Sequence, residues 1–270
     1  MFGICNEIFQ GWKLEDAMAF AAKAGYDAIE IAPFTIAPYV TQITPEQRRE
    51  IREAAKRQKI AISGIHWVLV QAEGMYLTHS DSGIRKRTSQ YFCDLVDFCS
   101  DIGGKTIVVG SPKQRNILEG CTYEQAWGWA KETFAASVER ASQKNVTICL
   151  EPLAPSETNF INTAEEAVRF VQQLQNPSFK VILDVKAMSS EAKSIPQIIE
   201  ETWPNFACFH ANDKNLKGPG FGDVDFNPIA AALHHVGYNG VVSVEVFKFE
   251  EGPEAIATRS IEYLKKTFTR

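Results

Sequence analysis

Eight short apolar runs, rich in β-branched residues, alternate along the whole chain with longer segments of helical period. The predicted strands lie at residues 2–6, 28–31, 60–65, 106–109, 146–150, 180–183, 207–209 and 241–244. The predicted helices follow them at residues 14–23, 45–58, 85–102, 123–143, 164–173, 195–200, 228–235 and 253–266. Regular alternation of this kind is typical of βα units, whose strands form one parallel sheet.

Closure of these strands into a barrel is favoured over an open sheet. Closure leaves no unpaired strand edge and gives every strand two partners. An open dinucleotide-binding sheet lacks its main signature, because Glu7-Ile8-Phe9-Gln10 follows the first strand where a glycine-rich phosphate loop is needed. We therefore expect an α/β fold, a single (β/α)8 TIM barrel domain over residues 1–270.

Proline and glycine mark several predicted helix ends. Pro45 and Pro228 each follow an N-cap type of residue and are expected at the first helical position. Gly25, Gly103 and Gly237 stand where a helix ends before the next strand.

The charge balance argues against a nucleic-acid partner. The 270 residues contain 28 Lys and Arg against 33 Asp and Glu, a formal charge of −5, whereas nucleic-acid binding depends on clustered Lys and Arg. No run approaches the roughly 18 apolar residues that a membrane span needs. We expect neither a nucleic acid nor a membrane as partner, and the sequence leaves a homo-oligomer open.

Six cysteines, with no Cys-x-x-Cys spacing, are expected to be reduced structural thiols. The first residues, Met-Phe-Gly-Ile-Cys-Asn-Glu, lack the basic and apolar regions of a secretory signal. Both features favour a cytoplasmic protein.

The residues that close the predicted strands are mostly ionisable. In a parallel barrel all strand carboxyl ends lie on one face, which carries the chemistry in essentially every such enzyme. Strands five to eight are neighbours, so we expect the residues at their ends to converge. The closing residues are Glu7, Glu30, His66, Gly110-Ser111, Glu151, Asp184, His210 and Glu245.

Three carboxylates that meet in a partly dry pocket repel one another and raise one another's pKa unless a cation compensates them. Three carboxylates and one imidazole suit Mn²⁺ or Mg²⁺, and they also accept Co²⁺ or Zn²⁺. The alternative is that each carboxylate caps a strand or pairs with a lysine or arginine nearby. We predict one divalent metal ion, held by Glu151, Asp184, His210 and Glu245.

These four residues, spaced 33, 26 and 35 positions apart, resemble the metal site of the xylose isomerase-like TIM-barrel superfamily of sugar and sugar-phosphate isomerases and epimerases. The resemblance runs from Gly-Tyr-Asp-Ala-Ile-Glu30 to Gly-Tyr-Asn-Gly-Val-Val-Ser-Val-Glu245. It implies a xylose isomerase-like barrel and a metal-dependent enzyme that transfers a proton through a cis-enediolate of a small sugar or sugar derivative. Ketose 3-epimerases and hydroxypyruvate isomerases are the similar branches.

The resemblance also implies roles for single residues. Glu151 and Glu245 become the catalytic acid/base pair as well as metal ligands, and Glu157 matches a glutamate that contacts substrate in the epimerase branch. Two positions depart from that branch: Ala187 stands where it has a substrate-binding histidine, and Leu216 stands where it has an arginine.

Other polar residues are therefore expected to bind the substrate. The loops after strands four and seven carry cations that can hold a carboxylate or phosphate, and His66 beside Trp67 can orient a sugar. The alternative is that the loops are solvated lids and that His66 is a packed core residue. The expected substrate-binding residues are His66, Lys113, Arg115, Glu157 and Lys217.

Three other functions compete with the epimerase or isomerase. A keto-inositol-type dehydratase or a hydroxypyruvate-type isomerase begins with the same proton removal, so the strand ends do not separate them. A non-catalytic metabolite-binding barrel would not require two opposed glutamates. An endonuclease IV-like phosphodiesterase would require further histidine ligands, where this chain has Ala187 and Asp223-Val-Asp225.

Overall fold

Eight parallel strands close into one barrel in the computed structural model, which describes residues 1–268. Each strand pairs with the next one along the chain, and β1 closes the barrel by pairing with β8, where Phe2 lies opposite Val242. The predicted (β/α)8 architecture is confirmed. The strands are β1 (Phe2–Cys5), β2 (Ala28–Ile31), β3 (Ala61–Ile65), β4 (Thr106–Val109), β5 (Thr147–Leu150), β6 (Phe179–Asp184), β7 (Phe206–Ala211) and β8 (Val242–Val244).

Helices lie between the strands, as the helical periodicity predicts. One of them, α6, is a short turn directly after β6 that the sequence pattern did not reveal. The helices are α1 (Leu14–Ala24), α2 (Pro45–Gln58), α3 (Ser82–Ile102), α4 (Tyr123–Lys144), α5 (Ala164–Gln172), α6 (Val185–Met188), α7 (Ile195–Thr202), α8 (Phe226–His235) and α9 (Pro253–Phe268).

Most of the helix ends that proline or glycine marks are confirmed, and one is wrong. Pro45 begins α2, and Gly25 and Gly103 end α1 and α3 in the left-handed region, with φ of 100° and 93°. Helix α8 begins at Phe226 and not at Pro228, because the carboxylate of Asp225 accepts a hydrogen bond from the Asn227 amide at 2.9 Å and caps the helix two residues earlier.

Side-chain alternation along the strands separates an interior cluster from the larger core under the helices. Val108, Cys149, Ile182 and Cys208 form a small buried cluster of their own. Because alternate residues of a strand point to the same face, the residues two positions further along share that face. For the last three members of the cluster, the residues at this spacing are Glu151, Asp184 and His210.

Apolar side chains fill the layer between the strands and the helices. Phe134 of α4 packs against Phe92 of α3 and Phe179 of β6, with ring centroids 5.1 and 5.0 Å apart. Edge and offset contacts of this kind stabilise a core beyond the apolar area that they bury. This layer holds the strand ends in place, together with any site that they form.

All six cysteines are free thiols, as predicted. Within residues 1–268, none of the helices is both long enough and apolar enough to cross a membrane. The cytoplasmic location and the single domain over residues 1–270 stay predictions from the sequence.

The barrel wall supplies a test of packing at Gly64, which lies opposite Thr106 on the neighbouring strand. A Cβ atom there would lie 2.1 Å from the Thr106 carbonyl oxygen. We expect Gly64→Ala to lower the free energy of unfolding in urea by about 3 kcal/mol, since a paired backbone cannot yield. Gly128→Ala is the matched control, because nothing lies within 4 Å of its added methyl group in α4, and it should raise stability by roughly 0.5–1 kcal/mol. Equal effects at both positions would contradict this account of the barrel wall.

Candidate metal centre and active cavity

Three of the four predicted metal ligands converge at the carboxyl ends of β6, β7 and β8. Asp184, His210 and Glu245 each offer a donor atom, and these atoms all lie within 4.8 Å of one another. Strand register explains the convergence: Asp184 lies opposite His210, and Glu245 follows β8, in which Ser243 lies opposite His210. All three side chains are buried. We call them the metal group.

The imidazole of His210 is oriented for ligation. Its Nε2 atom forms a hydrogen bond with Oε1 of Glu30 at 3.0 Å, and Ser243 donates to the other oxygen of Glu30 at 3.2 Å. Nδ1 of His210 lies 3.2 Å from Oε2 of Glu245, but neither atom has a hydrogen-bond partner although both are buried. An imidazole whose second nitrogen is held by a carboxylate is the usual arrangement of a metal-ligating histidine. These two atoms are therefore suited to a cation.

Asp184 is held in place by both of its oxygens. The amide of Ala187 donates to Oδ1 at 2.8 Å, so that Asp184 caps the short helix α6. The Asn212 side chain donates to Oδ2 at 2.5 Å and accepts a hydrogen bond from the Lys186 amide at 2.8 Å. Because each carboxylate oxygen has two acceptor sites, Asp184 keeps capacity for a further ligand.

Glu151, the fourth predicted ligand, follows β5 and lies beside the metal group without belonging to it. Its Oε2 lies over Gly110, only 2.2 Å from where a Cβ atom would stand, so only glycine at position 110 leaves room for the carboxylate. Burial, together with repulsion from Glu245 and Asp184, raises the pKa of Glu151 to about 8. The side chain is thus able to hold a proton at neutral pH.

The charges of the metal group are unbalanced. Burial alone would raise the pKa of Glu245, but attraction to His210 lowers it to about 2. Burial alone would lower the pKa of His210, and attraction to Glu245 and Glu30 raises it well above its usual value. Among residues 1–268, no lysine or arginine nitrogen forms an ion pair with Glu151, Asp184 or Glu245. The donor set and its charge therefore fit a divalent cation.

A cavity of about 370 Å³ opens next to Glu151 and Glu245, and we call it the site cavity. Trp67 closes one side: its indole N–H donates to Oε1 of Glu245 at 2.8 Å, and its ring stacks on Phe247 with centroids 5.9 Å apart. The volume and the mixture of aromatic and charged walls are typical of a small-molecule site. The cavity is lined by Trp67, Val70, Gly110, Ser111, Pro112, Lys113, Gln114, Glu151, Leu153, Glu157, Lys186, Glu245 and Phe247.

Two of the five expected substrate-binding residues, Lys113 and Glu157, line the site cavity. The other three do not, contrary to expectation. His66 is fully buried behind Trp67, with Nε2 2.6 Å from Oε2 of Glu7, and Lys217 is ion-paired with Glu251. The alternative reading of His66 as a packed core residue describes it better, because the ring is fully buried and a buried carboxylate holds its Nε2 atom, whereas Nδ1 has no hydrogen-bond partner.

Arg115 departs furthest from its expected role. Its side chain is 0% exposed, and its guanidinium donates to the carbonyl oxygens of Glu151 at 2.6 Å, Ile161 at 3.0 Å and Gly110 at 3.3 Å. These three hydrogen bonds from Nη1 and Nη2 join the backbone after β4 to the backbone after β5, whereas the buried Nε atom has no hydrogen-bond partner. Arg115 therefore supports the loops that carry Glu151 instead of reaching a substrate.

Two polar residues of the site were not selected from the sequence. Lys186 lines the cavity, and Asn212 links its amide to Asp184. A weak signal existed for each, because both stand two positions after a residue that closes a strand. A charged residue in a loop, however, is far more often solvated than buried.

Comparisons with known proteins agree with the barrel fold. A family model for the xylose isomerase-like TIM barrel matches residues 18–267. A D-psicose 3-epimerase from Ruminiclostridium cellulolyticum is 29% identical over 228 residues, which cover 84% of this chain and 75% of that protein. An inosose isomerase from Bacillus velezensis is 25% identical, with coverage of 94% and 90%. The solved structure of a D-psicose 3-epimerase with D-tagatose from Clostridium cellulolyticum superposes with a TM-score of 0.86 at 24% identity over 99% of both chains.

The contact between Glu30 and His210 generates a prediction about metal affinity. Glu30→Gln keeps the shape of the side chain but weakens its hold on the His210 ring, so Mn²⁺ affinity, measured by competition with a metal indicator, should fall roughly 10–100-fold. Glu7→Gln is the matched control, since Glu7 is equally buried but holds His66, which lies outside the metal group. The assignment fails if the two variants lose affinity equally, or if Glu30→Gln loses none.

Proposed function

This chain belongs to the xylose isomerase-like TIM barrel family, and on that premise we propose that it is a divalent-metal-dependent epimerase or isomerase that moves a proton on a carbon next to the carbonyl of a small sugar or sugar derivative. The predicted class of enzyme, one that acts on sugars, is confirmed by the ketose 3-epimerase and inosose isomerase relatives. The observation that carries the proposal is the meeting of the metal group with Glu151 at one wall of the site cavity.

We propose Asp184, His210, Glu245 and Glu151 as the residues that hold the metal, with Mn²⁺ or Mg²⁺ as the native ion. A divalent ion there supplies Lewis acidity, which removes several kcal/mol from the barrier to ionising a C–H bond beside a carbonyl. The uncompensated charge of the buried carboxylates and the free Nδ1 of His210 support this assignment.

Glu151 and Glu245 are the proposed acid/base pair. They follow β5 and β8, three strands apart around the barrel, and both line the site cavity, so a substrate between them meets a carboxylate on two sides. One carboxylate takes the proton from the carbon, and the other returns a proton to the opposite face. The hydrogen bond from Trp67 fixes Glu245, and Gly110 leaves room for Glu151.

The other walls of the site cavity position the substrate. Trp67 and Phe247 supply apolar ring faces, and Lys113 and Glu157 supply polar groups. This mixture suits a sugar, which has C–H faces as well as hydroxyl edges. The aromatic wall also limits the water that reaches the reacting carbon.

The decisive experiment measures deuterium uptake. Purified protein, after its bound metal has been quantified, is incubated in deuterated buffer with a panel of ketoses, ketose phosphates and inososes. We expect about one divalent ion per chain and deuterium at a carbon next to the carbonyl of at least one compound. Glu151→Gln and Glu245→Gln should each lower the exchange rate by roughly 10²–10⁴-fold, because each removes an acid/base group.

Glu165→Gln, a change to a glutamate on the surface of α5, serves as the control and should exchange at the wild-type rate. Exchange that survives in both active-site variants would show that the acid/base assignment is wrong. Binding of a sugar without any exchange would instead indicate a non-catalytic metabolite-binding barrel.

A further inference from the structure

The ammonium group of Lys186 lies in the wall of the site cavity, and its side chain is only 10% exposed. Its Nζ atom is 2.9 Å from Oε1 of Glu157 and 4.0 Å from the centre of the Phe247 ring. A charge removed from water is costly unless it is paired, and these two contacts compensate it in part. Lys186 is therefore a cation kept inside the cavity and not a solvated surface lysine.

The backbone of Lys186 is anchored beside the metal group. Lys186 lies in α6, two residues after Asp184, which caps that helix. Its amide donates to the same Asn212 side chain that donates to Asp184. A backbone anchored by two contacts of this kind suits a preorganised site.

The ammonium of Lys186 keeps hydrogen-bonding capacity toward the cavity. An ammonium has three N–H donors, and Glu157 accepts one of them. The second contact of the ammonium, the Phe247 ring, also lines the cavity and is no conventional hydrogen-bond acceptor. A ligand oxygen in the cavity therefore satisfies a donor that the protein leaves without an acceptor.

Resting on the function proposed above, we propose that Lys186 is a substrate-binding residue: its ammonium donates to an oxygen at the reacting end of an α-hydroxy ketone, while Glu157 holds the ammonium in place. When the C–H bond breaks, the proton goes to a glutamate and the electron pair forms a C=C bond, so the carbonyl oxygen becomes negative. An ammonium in a partly dry cavity stabilises that oxygen more than it stabilises the neutral ketone.

The competing explanation is that Lys186 only neutralises Glu157. A pair of variants separates the two roles, because Glu157→Gln removes the charge that would need neutralising. Lys186→Met keeps the apolar length of the side chain over Phe247, and in the double variant Lys186→Met/Glu157→Gln neither member of the pair is charged. Thermal melting of each variant checks that it is folded.

The measurements are deuterium exchange into the most reactive ketose of the panel and binding of glycolohydroxamate, a small anionic mimic of an enediolate, to the Mn²⁺-loaded protein by calorimetry. We expect Lys186→Met to lower kcat/KM roughly 10²–10³-fold, mainly through kcat. The double variant should stay as slow, and the affinity for glycolohydroxamate should fall at least about tenfold in both. Lys193→Met, which alters a half-exposed ion pair on the surface, should leave every value unchanged.

Recovery of wild-type exchange in the double variant would overturn the proposal while leaving the proposed function intact. Equal affinity of wild type and Lys186→Met for glycolohydroxamate, or no binding of it by the wild type, would also overturn the proposal. A wild-type protein that exchanges with no ketose of the panel would instead refute the proposed function, and the binding comparison would still decide the role of Lys186.

Discussion

Compensation of buried negative charge is the constraint on which the rest of this site depends. Glu30, Glu151, Asp184 and Glu245 are all buried at one end of a closed barrel, and in residues 1–268 none of them has a lysine or arginine within ion-pairing distance. His210 lies between Glu30 and Glu245 and compensates part of this charge. Removing several charges from water without partners costs several kcal/mol for each, so the arrangement fits a divalent cation among the carboxylates.

Each proposed ligand is supported by a different part of the barrel. Glu30 of β2 orients His210, Asn212 and α6 hold Asp184, Trp67 holds Glu245, and Gly110 leaves the space that Glu151 occupies. Behind them, His66 and Glu7 form a second buried pair. Because these supports lie in the packed interior, none of the proposed metal-ligating side chains can move without disturbing a neighbouring strand. The same rigidity holds the backbone of Lys186, since Asp184 caps the helix in which it lies.

The ionisable residues at the strand ends could be predicted because their physical signal is local. An apolar run that stops at Asp184, His210 or Glu245 marks both the strand and the side chain that closes it, and parallel closure brings neighbouring ends together. The helix starts were less certain: Asp225 precedes Asn227-Pro228, and only the capping geometry shows that α8 begins at the earlier residue. Asp225 and Asn227 are both residue types that favour the N-cap position, and the local sequence does not show which of them caps the helix.

The contacts of the positively charged loop residues could not be predicted from the sequence. Arg115 and Lys113 stand two residues apart in one loop with similar charge, yet one is enclosed by backbone carbonyls and the other lines the cavity. Lys217 is drawn to Glu251, and Lys186 is drawn to Glu157. The contacts of these cations depend on residues about 30–50 positions away in the sequence. Those residues come close to the cations only when the barrel closes.

The sequence by itself determined the barrel, the order of its strands and the acidic residues at their carboxyl ends, because hydrophobic periodicity and strand alternation act between near neighbours. Tertiary structure alone decided which polar side chains reach the cavity, that Glu151 lies beside the other three ligands, and that Lys186 is kept inside. The physical reason is that the energy of a buried charge depends on what surrounds it, and distant segments of the chain supply those surroundings.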